Sequence, residues 1–324
     1  LIQTDGPISQ ADLARRSGLS PSTVSGIIQP LIENSLLVAT GKNKNQGMGR
    51  RASLLTFNPE TLMTVGVVIE PEKCKMALVD FCGSVFGTTD LAYCPPYQPE
   101  QIADFIKDDL EILLQKYDIQ RDALVGIGVA MPGMIDAESG NVKAAVNLGW
   151  MNIPLKQILE KQLKLPASIE NVGKAKIAAE MIWGMGVDCK NIVLLEIGSG
   201  IGGGAVIDAR LLNGGTYAAV EVGHTSLDLK GPQCQCGLQG CWEVFCNGPA
   251  IRKRIKTFLN NHPNIVTNLN QESSLRDLQK AAEAGDELAL RVIHETAVYM
   301  ARGFANVIWN FDPEMFILTG LSLI

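Results

Sequence analysis

The segment from Glu221 to Glu243 constrains this chain more tightly than any other. It reads Glu221-Val-Gly-His224, then Cys234-Gln-Cys236-Gly-Leu-Gln-Gly-Cys241-Trp-Glu243. Thiolate sulfur and imidazole nitrogen are the donors Zn²⁺ prefers, and His224, Cys234, Cys236 and Cys241 would close a tetrahedral structural site with no position left for water. Gly237 and Gly240 let the chain fold back so that Cys241 can meet Cys234 and Cys236. Glu221 and Glu243 flank the cluster, so a rigid knot would hold two carboxylates at the wall of a pocket. The other readings are unrelated buried thiols or a disulfide. Cys-x-Cys-x4-Cys with a nearby His is more specific for metal than a lone CxxC.

A chain of 324 residues is too long for one ordinary core, so two or three domains are expected. Hydrophobic residues make up 46% of it, enough to bury stable cores. No apolar run approaches the roughly 20 residues of a membrane span, which excludes that class of membrane protein. The start of the chain lacks a basic-then-apolar signal pattern, so the reading is cytoplasmic. Cys74, Cys82, Cys94 and Cys189 are scattered singly and look like small core residues. Cys246 reads as a bystander to the cluster.

The net charge of −6 conceals an asymmetry. Residues 1–58 hold six basic and three acidic side chains, a balance of +3, which leaves −9 for the remainder. A basic head on an acidic body directs any polyanion to the head. The head also carries a motif. Ser9 can cap a first helix, with Leu13 and Ala14 facing inward and Gly18 ending it in a left-handed turn. Ser20 caps a second helix with Pro21 at its first position. Val24, Ile27, Ile28 and Leu31 form its expected buried stripe. Ser20, Ser22, Thr23, Ser25 and Gln29 are left to meet base edges in a major groove. Gly41 to Arg51 is polar, Gly-rich and basic between two apolar strands, which fits the wing of a winged helix-turn-helix, with Arg50 and Arg51 along phosphates. The alternative is a helical hairpin used for protein contacts.

Beyond Phe57-Asn58-Pro59 the chain alternates strands and helices, which argues for α/β layers. Strands are expected at Val65–Ile69, Met76–Asp80, Val125–Ala130, Ile192–Ile197, Ala205–Ile207 and Phe316–Thr319. Helices are expected over 100–117, 154–163 and 173–185. A long helix from Glu287 to Trp309 is apolar on most faces and is expected to be buried between layers. Gly198-x-Gly200-x-x-Gly203 fits the dinucleotide fingerprint letter for letter, but that fingerprint needs a helix to begin inside it. Here strand-like residues follow, so the loop is expected to be a hairpin, of the kind that cradles phosphate in actin-like sugar kinases.

At this point the chain resembles the ROK family (repressors, open reading frames and kinases) from Gly6 to its last residue. The segments that carry the resemblance are Gly126–Gly133, Asn147-Leu-Gly-Trp150, Glu170-Asn171, Gly198–Gly204, Glu221-x-Gly-His224 and the cysteine cluster. The resemblance implies two lobes of the actin/hexokinase-like, ribonuclease H-like kind with a sugar between them. Carried over by position, Asn171, Glu221, His224 and Glu243 would contact sugar hydroxyls, with Gly133 and Asn147 nearby, and His224 would also ligate zinc. The implied organisation is a winged helix-turn-helix over 1–58, a first ROK lobe over 63–186 and a second lobe over 187–324 that is C-terminally incomplete.

Two departures separate kinase from repressor. ROK kinases carry an Asp after the Glu-Asn pair as the base that takes the hydroxyl proton, and Val172 stands there. They open their first strand pair with an Asp-x-Gly-Gly-Thr phosphate loop, and Val68-Ile69-Glu70-Pro71-Glu72 stands there. Both departures strike at phosphoryl transfer, so no ATP is expected. The resemblance therefore implies a sugar-responsive repressor of the NagC, Mlc and xylose-repressor type. Its partners would be an inverted-repeat DNA operator and a monosaccharide or sugar phosphate, and its state a homodimer or homotetramer. The alternative is a ROK-type kinase phosphorylating a hexose or N-acetylhexosamine.

Overall fold

The computed structural model describes residues 1–2, 6–42, 53–59, 61–70, 73–92 and 98–320. By internal contacts the chain divides into two compact units, Leu1–Asn171 and Val172–Ile324.

The first unit begins with the head. A short strand β1 (Ile8–Ser9) leads into α1 (Gln10–Ser17), whose cap Ser9 accepts from the Asp12 amide and whose C-cap Gly18 adopts φ 71°. Ser20 caps α2 (Pro21–Glu33) by accepting from the Thr23 amide, with Pro21 in the first turn. Strands β2 (Leu37–Lys42) and β3 (Ser53–Phe57) pair antiparallel, and β1 joins the other edge of β3. Ile8, Leu13, Ala14, Val24, Ile28, Leu37 and Leu55 form the core of the head. Arg50, Arg51 and most of the expected wing lie outside the described residues.

The same unit continues into β4 (Met63–Ile69), β5 (Lys73–Asp80) and β6 (Val85–Ala92), α3 (Pro99–Lys116) and β7 (Leu124–Met131). Three short strands follow, β8 (Met134–Asp136), β9 (Asn141–Ala145) and β10 (Trp150–Ile153), then α4 (Leu155–Leu163) and β11 (Ala167–Asn171). The five-stranded sheet runs β11-β7-β4-β5-β6, parallel in its first three strands and antiparallel in the last two pairings. The strict in-out burial of β4 follows its period-two pattern. On α4, Leu155, Leu159 and Leu163 recur every fourth residue and are all buried, as a single apolar stripe requires. The head meets this sheet where the Thr61 hydroxyl donates to the Ser35 carbonyl at 2.9 Å and where the Phe57 and Phe81 rings lie 5.1 Å apart.

The second unit opens with α5 (Val172–Trp183), followed by β12 (Ile192–Ile197), β13 (Ile201–Ile207) and β14 (Arg210–Leu211). After the cysteine-bearing segment come α6 (Glu243–Cys246), α7 (Gly248–Asn261), α8 (Leu275–Glu283), α9 (Glu287–Phe311) and β15 (Met315–Gly320). The sheet order is β14-β13-β12-β15, with β15 parallel to β12. Layers on both faces explain why β12 is apolar almost throughout. Ile177 of α5 packs with Ile192, Leu194 and Val206 on one face, while Val193, Leu195 and Ile197 pack with Trp242, Met300 and Val307 on the other. The glycine-rich turn is a hairpin between β12 and β13, as its strand-like continuation requires. A Cβ at Gly173 would collide with the Gly203 carbonyl, so these glycines let α5 close onto β13.

Three expectations are corrected. Helix α9 is not buried on most faces. It buries Leu288, Ala289, Val292, Thr296, Met300, Gly303 and Val307, while Leu290, Val298, Ile308 and Trp309 are exposed. Apolar residues fall on most of its faces, but these four outward ones stay exposed among the described residues. Ile27 of α2 is 53% exposed rather than part of the buried stripe. Cys82 is exposed in the turn after β5, whereas Cys74 is a core residue as expected and Cys94 lies outside the described residues. No helix of the described residues is long and apolar enough to cross a membrane.

Candidate functional site

The head presents its polar residues outward. Ser20, Ser22, Thr23, Ser25 and Gln29 are all exposed along α2, opposite Val24 and Ile28. The Ser20 hydroxyl lies 2.8 Å from both the Ser22 and Thr23 hydroxyls, and Gln29 donates to Glu33 at 2.9 Å. The helix start therefore carries short side chains already tied to one another.

The cysteine segment folds as a tight knot. A 3₁₀ turn at Val222–His224 brings His224 forward, and isolated bridges Ser226↔Cys241 and Gln233↔Gln239 zip the loop. Gly237 and Gly240 take φ of 92° and 66°, values that a side chain would strain. A Cβ at Gly240 would also strike the Asp228 carbonyl.

The donor atoms of His224, Cys234, Cys236 and Cys241 all lie within 4.8 Å of one another. Cys234 Sγ is 3.6 Å from His224 Nδ1, and the Cys236 and Cys241 sulfurs are 3.5 Å apart. A tetrahedral ion with metal–sulfur bonds of about 2.3 Å and a metal–nitrogen bond of about 2.0 Å has edges of roughly 3.5–3.8 Å. The donor set and its spacing therefore fit such an ion. A disulfide would need sulfurs about 2.05 Å apart, and all three cysteines are free. Nδ1 is the imidazole nitrogen turned toward the cluster, which leaves Nε2 for another partner.

The flanking carboxylates are held differently. Glu243, at the start of α6, accepts from the Cys234 thiol at 3.2 Å through Oε1, which is also 3.5 Å from His224 Nδ1. Its Oε2 accepts from the Ile201 amide at 3.4 Å. Glu221 is partly buried, and burial pushes its carboxyl above the usual range, against the pull of His224 and Lys174. Lys174 was not foreseen as a site residue. It is only 2% exposed, and its ammonium donates to the carbonyls of Tyr217 at 3.1 Å and Asn213 at 3.4 Å. Those carbonyls belong to the loop that delivers Glu221. A lysine in the first turn of a helix carries no sequence signal for this role.

In the first unit, Asn171 and Gly133 come together. Asn171 ends β11 and Gly133 lies just past the end of its parallel neighbour β7, and the Asn171 amide side chain donates to the Gly133 carbonyl at 2.9 Å. Gly133 has φ 113° and sits where a Cβ would overlap the Ala144 carbonyl. Asn147 is exposed in the 3₁₀ turn Val146–Leu148. Val172 opens α5 and offers no atom that accepts a proton. Glu70 directly follows β4 and pairs with Lys73 at 3.2 Å, while Pro71 and Glu72 lie outside the described residues.

Comparison with known proteins fits this arrangement. The ROK family model matches residues 64–322, and a winged helix-turn-helix DNA-binding model matches residues 1–38. The chain belongs to the ROK family. The xylose repressor of Bacillus subtilis is 28% identical over 98% of this chain and 79% of its own length. The transcriptional dual regulator NagC of Escherichia coli is 26% identical over 99% of this chain and 78% of its own. A crystal structure of a ROK transcriptional regulator, homologous to the Mlc protein of Escherichia coli, superposes with a TM-score of 0.85 at 29% identity. It covers 98% of this chain and 80% of that one. This ROK protein is a sugar-responsive transcriptional repressor rather than an enzyme.

Proposed function

We propose that this ROK protein is a cytoplasmic repressor of carbohydrate-metabolism genes that binds an inverted-repeat operator as a homodimer or homotetramer. A monosaccharide or sugar phosphate changes its affinity for DNA. The observation that carries this reading is one chain joining a capped helix of exposed short polar side chains to a ROK body whose strand-to-helix junction bears Val172. The functional domains are residues 1–58, 63–186 and 187–324. Base contacts come from Ser20, Ser22, Thr23, Ser25 and Gln29, and phosphate contacts from Arg50 and Arg51. The groups assigned to hydroxyl recognition are Gly133, Asn147 and Asn171 in the first unit and Glu221, His224 and Glu243 in the second. The metal is zinc on His224, Cys234, Cys236 and Cys241. When bound it supplies rigidity alone, because four protein donors leave no water to activate. ATP has no part.

The test is a thermal-shift panel of monosaccharides and their phosphates, headed by xylose and N-acetylglucosamine. Any sugar that binds only the native state raises the melting temperature. A sugar found this way should change DNA affinity in the native protein, and its effect should weaken at least tenfold in Glu221→Gln, since a site built for hydroxyls depends on each partner. A panel without a single shift, or an equal response in Glu221→Gln, would sink the effector assignment.

A further inference from the structure

Helix α2 holds a glycine and a proline four residues apart, Gly26 and Pro30, and both are exposed. At about 100° per residue, Gly26 lies about 180° from the midpoint of the buried pair Val24 and Ile28. It is therefore the centre of the outward face. Ser22 and Thr23 stand one turn before it, and Gln29 and Pro30 one turn after. Neither glycine nor proline suits a helix interior. Glycine is required where φ is positive or where a Cβ would collide. Neither condition holds here, because Gly26 has right-handed helical backbone and a Cβ would meet nothing within 4 Å among the described residues. Pro30 adds a second effect on the same turn. The N–H it lacks is the one an α-helix directs at the carbonyl of residue 26. The outward face of α2 thus carries a notch: one position with no side chain, whose carbonyl oxygen has lost its regular donor.

We infer that the Gly26–Pro30 notch determines operator specificity, seating bare helix backbone against base edges in the major groove. The inference rests on α2 being the recognition helix. The Gly26 carbonyl accepts from an exocyclic amino group, which cytosine and adenine present in that groove. Guanine and thymine present acceptors there and are refused. The short Ser22, Thr23 and Ser25 side chains permit the same close approach. What glycine costs the isolated helix is recovered only in the complex.

The test uses the full chain at fixed salt and a duplex selected by the native protein from a randomised pool. Gly26→Ala should melt at the same temperature or higher, yet bind the selected duplex about tenfold more weakly, the scale of one lost base contact. Its salt slope should hold, because that slope counts phosphate contacts. Pro30→Ala returns the missing donor, so it should melt higher and relax the preference at one base position when selection is repeated. Unchanged affinity in Gly26→Ala would overturn the inference. A lower melting temperature would do the same, because it would give Gly26 a structural role within the helix. An unaltered preference in Pro30→Ala would remove the carbonyl contact. Failure of the native protein to select any duplex would overturn the recognition-helix assignment and the inference with it.

Discussion

A buried ammonium is costly unless it is well partnered, and Lys174 spends its charge on the backbone carbonyls of Asn213 and Tyr217. The loop it holds is strained. Tyr217 and Val220 have φ of 62° and 69° without being glycine, a conformation that costs on the order of 1–3 kcal/mol per residue. Val220 directly precedes Glu221, so the strain is stored beside a carboxylate assigned to sugar recognition. Lys174→Met keeps the bulk and removes the donor. It should destabilise the second unit by about 1–3 kcal/mol in thermal unfolding, the usual cost of orphaning buried polar groups. The shift caused by an effector sugar should shrink as well, while DNA binding without sugar is preserved. A variant as stable and as responsive as the native protein would show that the loop holds its shape without the lysine.

Local chemistry made several elements legible in the sequence. Ser9, Gly18, Ser20 and Pro21 mark helix ends through bonds to their own neighbours, and the structure has caps at those positions. The glycine hairpin was legible because Gly204-Ala-Val-Ile is strand material. The His–Cys cluster was legible because metal donors are few and their spacing is short. What escaped was decided at long range. Ile27 and the outer side of α9 look apolar enough to bury, yet burial depends on a facing partner that no local pattern encodes. Lys174 escaped for the opposite reason, since a charged residue reads as solvated until a loop forty residues later covers it. The knot itself gives an element-scale prediction. Freshly purified protein should hold one zinc per chain by elemental analysis. Cys236→Ser should lower that content, destabilise the second unit and abolish the sugar response, because Glu221 and Glu243 flank the same knot. A zinc content near zero with the sugar response intact would end this account.

At the scale of the molecule, the sugar can govern DNA binding only by binding the DNA-competent and DNA-free forms with different affinity. Coupling free energies of about 1–3 kcal/mol would move operator affinity by roughly 5–150-fold. Phosphoryl transfer is a separate matter. Val172 lacks a proton acceptor and Glu70-Pro71-Glu72 lacks the glycine amides for ATP, so coupled assays with glucose, N-acetylglucosamine, N-acetylmannosamine, allose and xylose should stay at background. Clear turnover of any of them would restore the kinase reading. Helix α9 has a different bearing on the whole. It runs for 25 residues, about 37 Å at 1.5 Å per residue. Leu288, Ala289 and Val292 sit in the helical cluster with Ile251 and Leu278, and Met300 and Val307 sit in the core of the sheet. One rod is thus common property of two hydrophobic interiors. Neither interior can dissolve by itself without fraying the backbone that the other grips, so the second unit is bound to lose its structure in a single cooperative step.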